Sequence, residues 1–355
     1  MAADPLSERE HIVLEAVIRT YVETAEPAGS RTLARRFNLG ISPATVRNTM
    51  SDLEEKGYLF HPHTSAGRMP TDRAYRRFVD SLLGQPRTSM QDPRLRQELE
   101  NSPDRSAVEL LIRRAAQVLG LLTNELGVAM SPRIADVVLD RIEMIAVAEG
   151  KVLLVMTLQA SGLRTVFVDV PVNVPASTLV AVTQILNERL GGLSLNDVRT
   201  SLSQRLRDTS AENDPAASEL LNIFVQAADE WLDWPSSSPG VHLGHASVLA
   251  DQPEFQQGPR LRNLIELTER TDLLKSVLAG RTGGEGLKIT IGGEHQDSAL
   301  ADFTVVTSEY RVGNLRGVIG VIGPTRMPYD RVITLVESTS SLVSEFLMEG
   351  KSVSE

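Results

Sequence analysis

The chain of 355 residues contains no cysteine, so neither disulfides nor thiolate metal sites contribute to it. Its six histidines show neither an HxxxH nor an HExxH spacing, which argues against a metal centre. Long apolar runs are missing as well. None approaches the roughly 20 residues needed to cross a bilayer, and the opening MAADPLSERE lacks the basic patch and apolar stretch of a secretory leader. These absences predict a cytoplasmic protein with no membrane association. Positive charge is also in deficit: 36 basic against 46 acidic residues give −10, and an anionic protein taken as a whole is repelled by nucleic acid. The length exceeds the size at which single cores stop growing, so two or three domains are expected.

The distribution of charge points the opposite way from its sum. Between Gly29 and Val79 stand nine basic residues (Arg31, Arg35, Arg36, Arg47, Lys56, Arg68, Arg73, Arg76, Arg77) and four acidic ones (Asp52, Glu54, Glu55, Asp72), a local +5 that leaves −15 on the remainder. A basic module on an acidic body keeps phosphate attraction in one place and discourages indiscriminate sticking elsewhere.

Periodicity gives that module a shape. Ser7 and Glu10 have capping-box spacing, and Ile12, Val13, Ala16, Val17 and Tyr21 follow at helical intervals. Pro27 and Gly29 break the helix, and Ser30 is placed to cap a short second one carrying Leu33, Ala34 and Phe37. After the turn Asn38-Leu39-Gly40, Ser42-Pro43 reads as an N-cap followed by proline in the first helical position, opening a third helix that Gly57 stops. Its 3.6-residue period puts Val46, Met50 and Leu53 on one side and Ala44, Arg47, Asn48 and Ser51 on the other. Tyr58 to Thr71, with Ser65-Ala66-Gly67 at its centre, reads as a two-stranded wing. The expected unit is a winged helix-turn-helix over 1–83, followed by a polar linker over 84–103.

Beyond the linker, Val108, Leu111, Ile112, Ala115, Leu119, Leu122 and Leu126 form one long helical face. Three β-rich stretches around 142–148, 152–158 and 164–170 then predict an antiparallel meander. Helical patterns follow over 177–190, 196–207 and 216–231, a strand over 241–249, a helix over 259–278, strands over 287–291, 302–310 and 315–322, and a closing helix over 329–348. Strands on both sides of a mostly helical block predict an α+β chain in which a helical domain, 174–281, is inserted into an antiparallel-sheet domain formed by 104–173 and 282–355. Gly283-Gly284-Glu285-Gly286 is neither a P-loop nor a dinucleotide fingerprint, and no nucleophile-base pair stands out, so no cofactor and no enzymatic activity are expected.

The run Ser42-Pro43-Ala44-Thr45-Val46-Arg47-Asn48-Thr49-Met50, with Leu53-Glu54 and then Pro62-His63-Thr64-Ser65-Ala66-Gly67-Arg68-Met69-Pro70-Thr71, closely resembles the heat-inducible transcription repressor family HrcA. Gly317-Val318-Ile319-Gly320-Val321-Ile322-Gly323-Pro324-Thr325-Arg326-Met327-Pro328-Tyr329 is similar to that family's carboxy-terminal signature, with Ile291-Gly292-Gly293-Glu294 upstream of it. The resemblance implies a dimeric repressor made of a winged helix, a GAF-like domain and an inserted dimerisation domain. It further implies an inverted-repeat operator in double-stranded DNA ahead of chaperone operons, and an active state that depends on the GroEL chaperonin.

A helix in the major groove needs short or forked polar side chains, because guanine offers paired acceptors to Arg and adenine an acceptor and a donor to Asn. Arg47 and Asn48 meet that need, with Ala44, Thr45 and Ser51 beside them, while Ser30, Thr32 and Ser42 offer hydroxyls and helix-end amides to phosphates. His63, Thr64 and Arg68 on the wing are candidates for phosphate or the minor groove, Arg68 above all; packing of His63 against Pro62 is the plainer alternative. Arg73, Arg76 and Arg77 either solvate the helix that Tyr75 and Phe78 anchor or touch the DNA backbone. An inverted repeat asks for a homodimer, for which Phe224, Trp231 and Trp234 are candidate anchors, or else ordinary core. The competing reading is a metabolite-responsive regulator with a small effector in the GAF-like domain.

Overall fold

In the computed structural model, residues 6–63, 66–84, 93–100, 108–132, 137–159, 162–171, 174–207, 215–228, 240–256, 258–284, 286–312 and 315–349 are described. Helix α1 (Glu8–Thr24) starts on the reciprocal pair expected from its spacing: Ser7 N–H donates to Glu10 at 2.7 Å and Glu10 N–H to Ser7 Oγ at 3.3 Å. It ends at Ala25, which turns left-handed with φ 56°. Helix α2 (Ser30–Arg36) has Gly29 as its N-cap, so Ser30 is the first helical residue and not the cap expected of it. Asn38 (φ 45°) and Gly40 (φ 67°) reverse the chain into α3 (Pro43–Glu55), where Ser42 Oγ accepts from Thr45 N–H at 3.1 Å. A two-stranded antiparallel ribbon follows, β1 (Leu59–Phe60) and β2 (Met69–Pro70), then α4 (Asp72–Leu83), capped by Thr71. Val13, Val17, Ile18, Leu33, Val46, Leu53, Leu59 and Tyr75 close the core between these elements, each at most 2% exposed. A fully buried aliphatic side chain of this kind contributes about 1.5–3 kcal/mol.

The stretch expected as a linker carries α5 (Pro93–Glu100). Its entire apolar stripe is Leu95 and Leu99, four residues apart and fully buried, too short a signal to stand out among its polar neighbours. Helix α6 (Val108–Thr123) ends at Asn124, left-handed with φ 59°, so Leu126 does not continue it as predicted. It opens β3 (Leu126–Met130), whose five residues are all buried. An apolar run buried on both faces has no alternation, and so no pattern to separate it from a helix.

The chain then leaves this sheet. Strands β4 (Leu139–Ala148), β5 (Lys151–Leu158) and β6 (Gly162–Asp169) form the predicted meander, but they pair only with one another, in a three-stranded sheet of their own. Helices α7 (Ala176–Leu190), α8 (Leu195–Arg207) and α9 (Pro215–Gln226) accompany them. Asn187 of α7 grips β4 through both the N–H and the carbonyl of Ile142, at 2.7 and 2.8 Å. The meander therefore pairs apart from the five-stranded sheet and bonds to α7, whereas the predicted split at residue 174 grouped it with the later strands.

After β7 (Val241–Leu243) the chain forms the short α10 (Ser247–Ala250), where the pattern predicts that strand runs on. The long helix expected next is two, α11 (Gly258–Glu269) and α12 (Thr271–Ala279), parted at Arg270. Then come β8 (Leu287–Ile291), β9 (Phe303–Val312), β10 (Leu315–Pro324) and α13 (Tyr329–Glu349). The sheet order is β7-β3-β10-β9-β8, with every pairing antiparallel. Leu126, Val128 and Met130 pack in a cluster with Leu264, Leu267, Leu274 and Leu278 of α11 and α12, whereas Ala129 joins the opposite cluster with α6 and α13. The chain is thus a mixed α/β protein with antiparallel sheets.

Candidate nucleic-acid interface

Helix α3 divides as its period requires. Val46, Met50 and Leu53 are at most 4% exposed, while Ala44, Arg47 and Asn48 are exposed and Thr45 and Ser51 half-exposed. Thr45 is tied to the cap through its hydroxyl, 3.0 Å from Ser42 Oγ, and Ser51 Oγ donates back to Arg47 O at 3.3 Å. Neither Arg47 nor Asn48 has a side-chain partner among the described residues. Two forked polar groups on adjacent positions of a rigid, exposed helix are thus uncommitted and available to base edges. The exposed Thr32 and Ser42 and the half-buried Ser30 flank this face at the helix starts.

Most of the basic residues of the module are spent inside the protein. Lys56 pairs with Glu10 at 2.8 Å, tying the end of α3 to the start of α1; Lys56, with help from Ser7, holds the Glu10 carboxyl below the ordinary carboxylate range. Arg36 pairs with Glu23. Arg73 donates to Lys56 O at 2.7 Å and lies 4.5 Å over the Tyr58 ring. Arg77 donates to His11 Nε2 at 2.9 Å, and Arg76 forks onto Glu294. The three arginines of α4 are therefore neither simply solvated nor turned toward a ligand: each is a structural tie. Among the described residues of the basic segment, Arg31, Arg35 and Arg47 are left without such a partner, all exposed. Arg31 and Arg35 are not among the residues picked out by sequence reasoning, although they stand on α2 next to Ser30 and Thr32; the signal that finds them is the lack of an acidic residue to engage them.

Arg68 requires a correction. Predicted just after the wing tip as a candidate for phosphate or the minor groove, it lies immediately before β2 with its side chain 13% exposed and pairs with Glu54 at 2.8 Å. Its backbone exchanges two hydrogen bonds with Ala28, at 2.9 and 3.0 Å. Glu54 also binds His61 Nδ1 at 2.7 Å, so one carboxylate of α3 fastens both arms of the ribbon. Gly67 is glycine for a steric reason: a Cβ there would collide with the Ala28 carbonyl. His63 is exposed, and Thr64 lies outside the described residues. Of the proposed dimer anchors, Phe224 is 0% exposed in the core of the insertion and unavailable to a partner, while Trp231 and Trp234 lie outside the described residues.

Residues 109–333 match the family described as HrcA protein C terminal domain. Over 356 residues the chain is 36% identical to the Heat-inducible transcription repressor HrcA of Chlorobium phaeobacteroides (strain BS1), covering 96% of this chain and 98% of that protein. The chain belongs to the HrcA family. The HrcA repressor of Desulforudis audaxviator is 33% identical, with 96% of this chain and 98% of that one covered, so the likeness extends across lineages and reaches both the α3 unit and the body. A crystal structure of a hypothetical protein superposes with a TM-score of 0.64 at 22% identity, covering 98% of this chain and 100% of that chain, and shows that the HrcA architecture described here is shared as a fold. No helix among the described residues is long and apolar enough to cross a membrane.

Proposed function

We propose that the chain represses heat-inducible transcription in the cytoplasm by gripping an inverted-repeat operator in double-stranded DNA as a homodimer. Residues 1–83 act as a winged helix in which α3 enters the major groove, Arg47 and Asn48 read bases, and Arg31 and Arg35 hold phosphates with Ser30, Thr32 and Ser42. The observation that carries this reading is the uncommitted Arg47–Asn48 pair on the exposed side of α3, in a module whose other cations are mostly tied up internally. The five-stranded unit serves as the GAF-like body and 137–228 as the dimerisation domain. Supporting the latter, the outer side of the meander bears a cross-strand apolar row, Ile145 opposite Leu153 opposite Phe167, with Ile145 and Phe167 47% and 66% exposed.

Dependence of the active state on the GroEL chaperonin, which family resemblance implies, belongs to the same proposal. Footprinting on a chaperone-operon promoter, with and without chaperonin and at two temperatures, tests it. Protection of a palindrome that strengthens with chaperonin and weakens with heat is expected. A pure, folded sample that protects no promoter at moderate salt overturns the reading.

A further inference from the structure

The two carboxy-terminal stretches that resemble family signatures both bond to the amino-terminal unit. On one side, Arg76 of α4 sends Nε and a terminal nitrogen to the two oxygens of Glu294, each at 2.6 Å, and the same nitrogen to Ile289 O at 2.8 Å. Glu294 is fixed from behind by Ile291 N–H at 2.9 Å. Beside it, Gly293 N–H donates to Asp72 Oδ2 at 2.8 Å, and Gly292, at φ 49°, lies so close to the Asp72 carboxylate that a Cβ would overlap it. On the other side, Arg326 donates to Val22 O, in the last turn of α1, at 2.6 Å and forks onto Glu254, both side chains of that pair being nearly buried. Between the two clamps the rings of Tyr75 and Tyr329 meet at 5.8 Å, each at most 1% exposed.

Isolated exposed ion pairs hold little, but these are forked, one half-buried and the other nearly buried, and reinforced by backbone hydrogen bonds. They also join two helices of the reading unit, α1 and α4, to two separate places on the body, the turn after β8 and the β10–α13 junction. Rotation about either clamp is blocked by the other.

Resting on the operator reading above, we infer that this joint is a specificity determinant: Arg76, Asp72, Glu294, Arg326 and Glu254 are positioning residues that hold each reading unit at one attitude on the body, so that the dimer accepts a single half-site spacing. Two rigidly held units reinforce one another only when both half-sites lie at the matching distance and face of the duplex; loosely held units share a lower effective concentration across many spacings.

The test uses the full chain, as wild type, Glu294→Gln, Glu294→Ala with Arg326→Ala, and the charge exchange Arg76→Glu with Glu294→Arg. Each is titrated on operator duplexes whose centre is lengthened by about five base pairs, half a turn, or about ten, a full turn, and on a single half-site. Wild type loses about a hundredfold on the half-turn insertion, whereas the double variant binds the native spacing about tenfold more weakly and loses less than about tenfold on insertion. Glu294→Gln lies between, the charge exchange regains the sharp profile, and single half-site affinity is the same throughout. Identical spacing profiles for wild type and the variants, all folded by circular dichroism, overturn the inference while the operator reading stands. Wild type that distinguishes no operator from random duplex overturns the operator reading and this inference together.

Discussion

Salt dependence gives the sharpest test of how the basic segment is used. Binding to duplex DNA releases condensed counterions, and log K falls with log salt at about −0.9 per phosphate neutralised. If Arg47 faces bases and Arg31 and Arg35 face phosphates, each reading unit neutralises about two phosphates and a dimer about four, a slope of about −3.6. Raising salt from about 50 to about 200 mM then weakens binding by about 150-fold. Had Arg73, Arg76 and Arg77 faced DNA too, about ten phosphates would be involved, for a slope near −9 and a loss of more than about 10⁵-fold over the same range. Their bonds to Lys56 O, Glu294 and His11 argue against that arrangement. Fluorescence anisotropy on a labelled operator at several salt concentrations decides between the two. Arg31→Ala with Arg35→Ala flattens the slope toward zero, and Arg73→Ala leaves it unchanged. A wild-type slope steeper than about −6, or a slope that drops on Arg73→Ala, refutes the assignment of free and committed cations.

Arg47→Ala lowers discrimination between operator and mutated operator by about 1–3 kcal/mol in competition binding at fixed salt; unchanged discrimination removes Arg47 from the base-reading face. Arg68→Ala removes one of the two partners of Glu54, leaving His61, and costs about 1 kcal/mol of stability, read by urea denaturation, with no change in salt slope. Glu125 is 2% exposed, and burial pushes its carboxyl well above the ordinary range, only partly countered by Gln252 and Arg326. The folded chain therefore keeps a proton that the unfolded chain releases, so this group's contribution to stability falls as pH rises above the usual carboxylate range. Glu125→Gln removes that loss, and the melting temperature of the variant gains on wild type as pH rises above the usual carboxylate range; parallel pH curves contradict the assignment. Phe167→Asp places a charge in the exposed apolar row and yields monomer by sedimentation at micromolar concentration, whereas a retained dimer moves the interface elsewhere.

Much of the first unit is legible because its determinants are local. A capping box, a Ser-Pro helix start, a 3.6-residue period and a glycine stop are read within a few residues, and they define both the core and the exposed side of α3. What escapes are partners distant in sequence. Arg68 reads as a cation free to meet DNA until Glu54, fourteen residues earlier, is seen paired with it, and nothing near Arg76 announces a carboxylate 218 positions away. Strand character shows in β-branched composition, but strand partnership does not, which is why sequence alone places β4–β6 in the wrong sheet. Phe224 illustrates the same limit, since a large apolar residue on an amphipathic helix serves a core or an interface equally well until the neighbouring helices are placed.

The antiparallel pairing of β3 with β10 carries a consequence for synthesis. Met130 faces Val318, so the first strand of the body sheet leaves the ribosome 188 residues before its central neighbour. At about 5–20 residues per second that is a wait of about 10–40 seconds, during which Leu126–Met130, buried in the finished sheet, has only α6 made before it and gains β7, α11 and α12 part-way, but lacks its β10 pairing. Nascent chains that delay this long are the ones most exposed to aggregation. The yield of folded repressor in a cell therefore depends on whatever shields that strand until the end of the chain arrives.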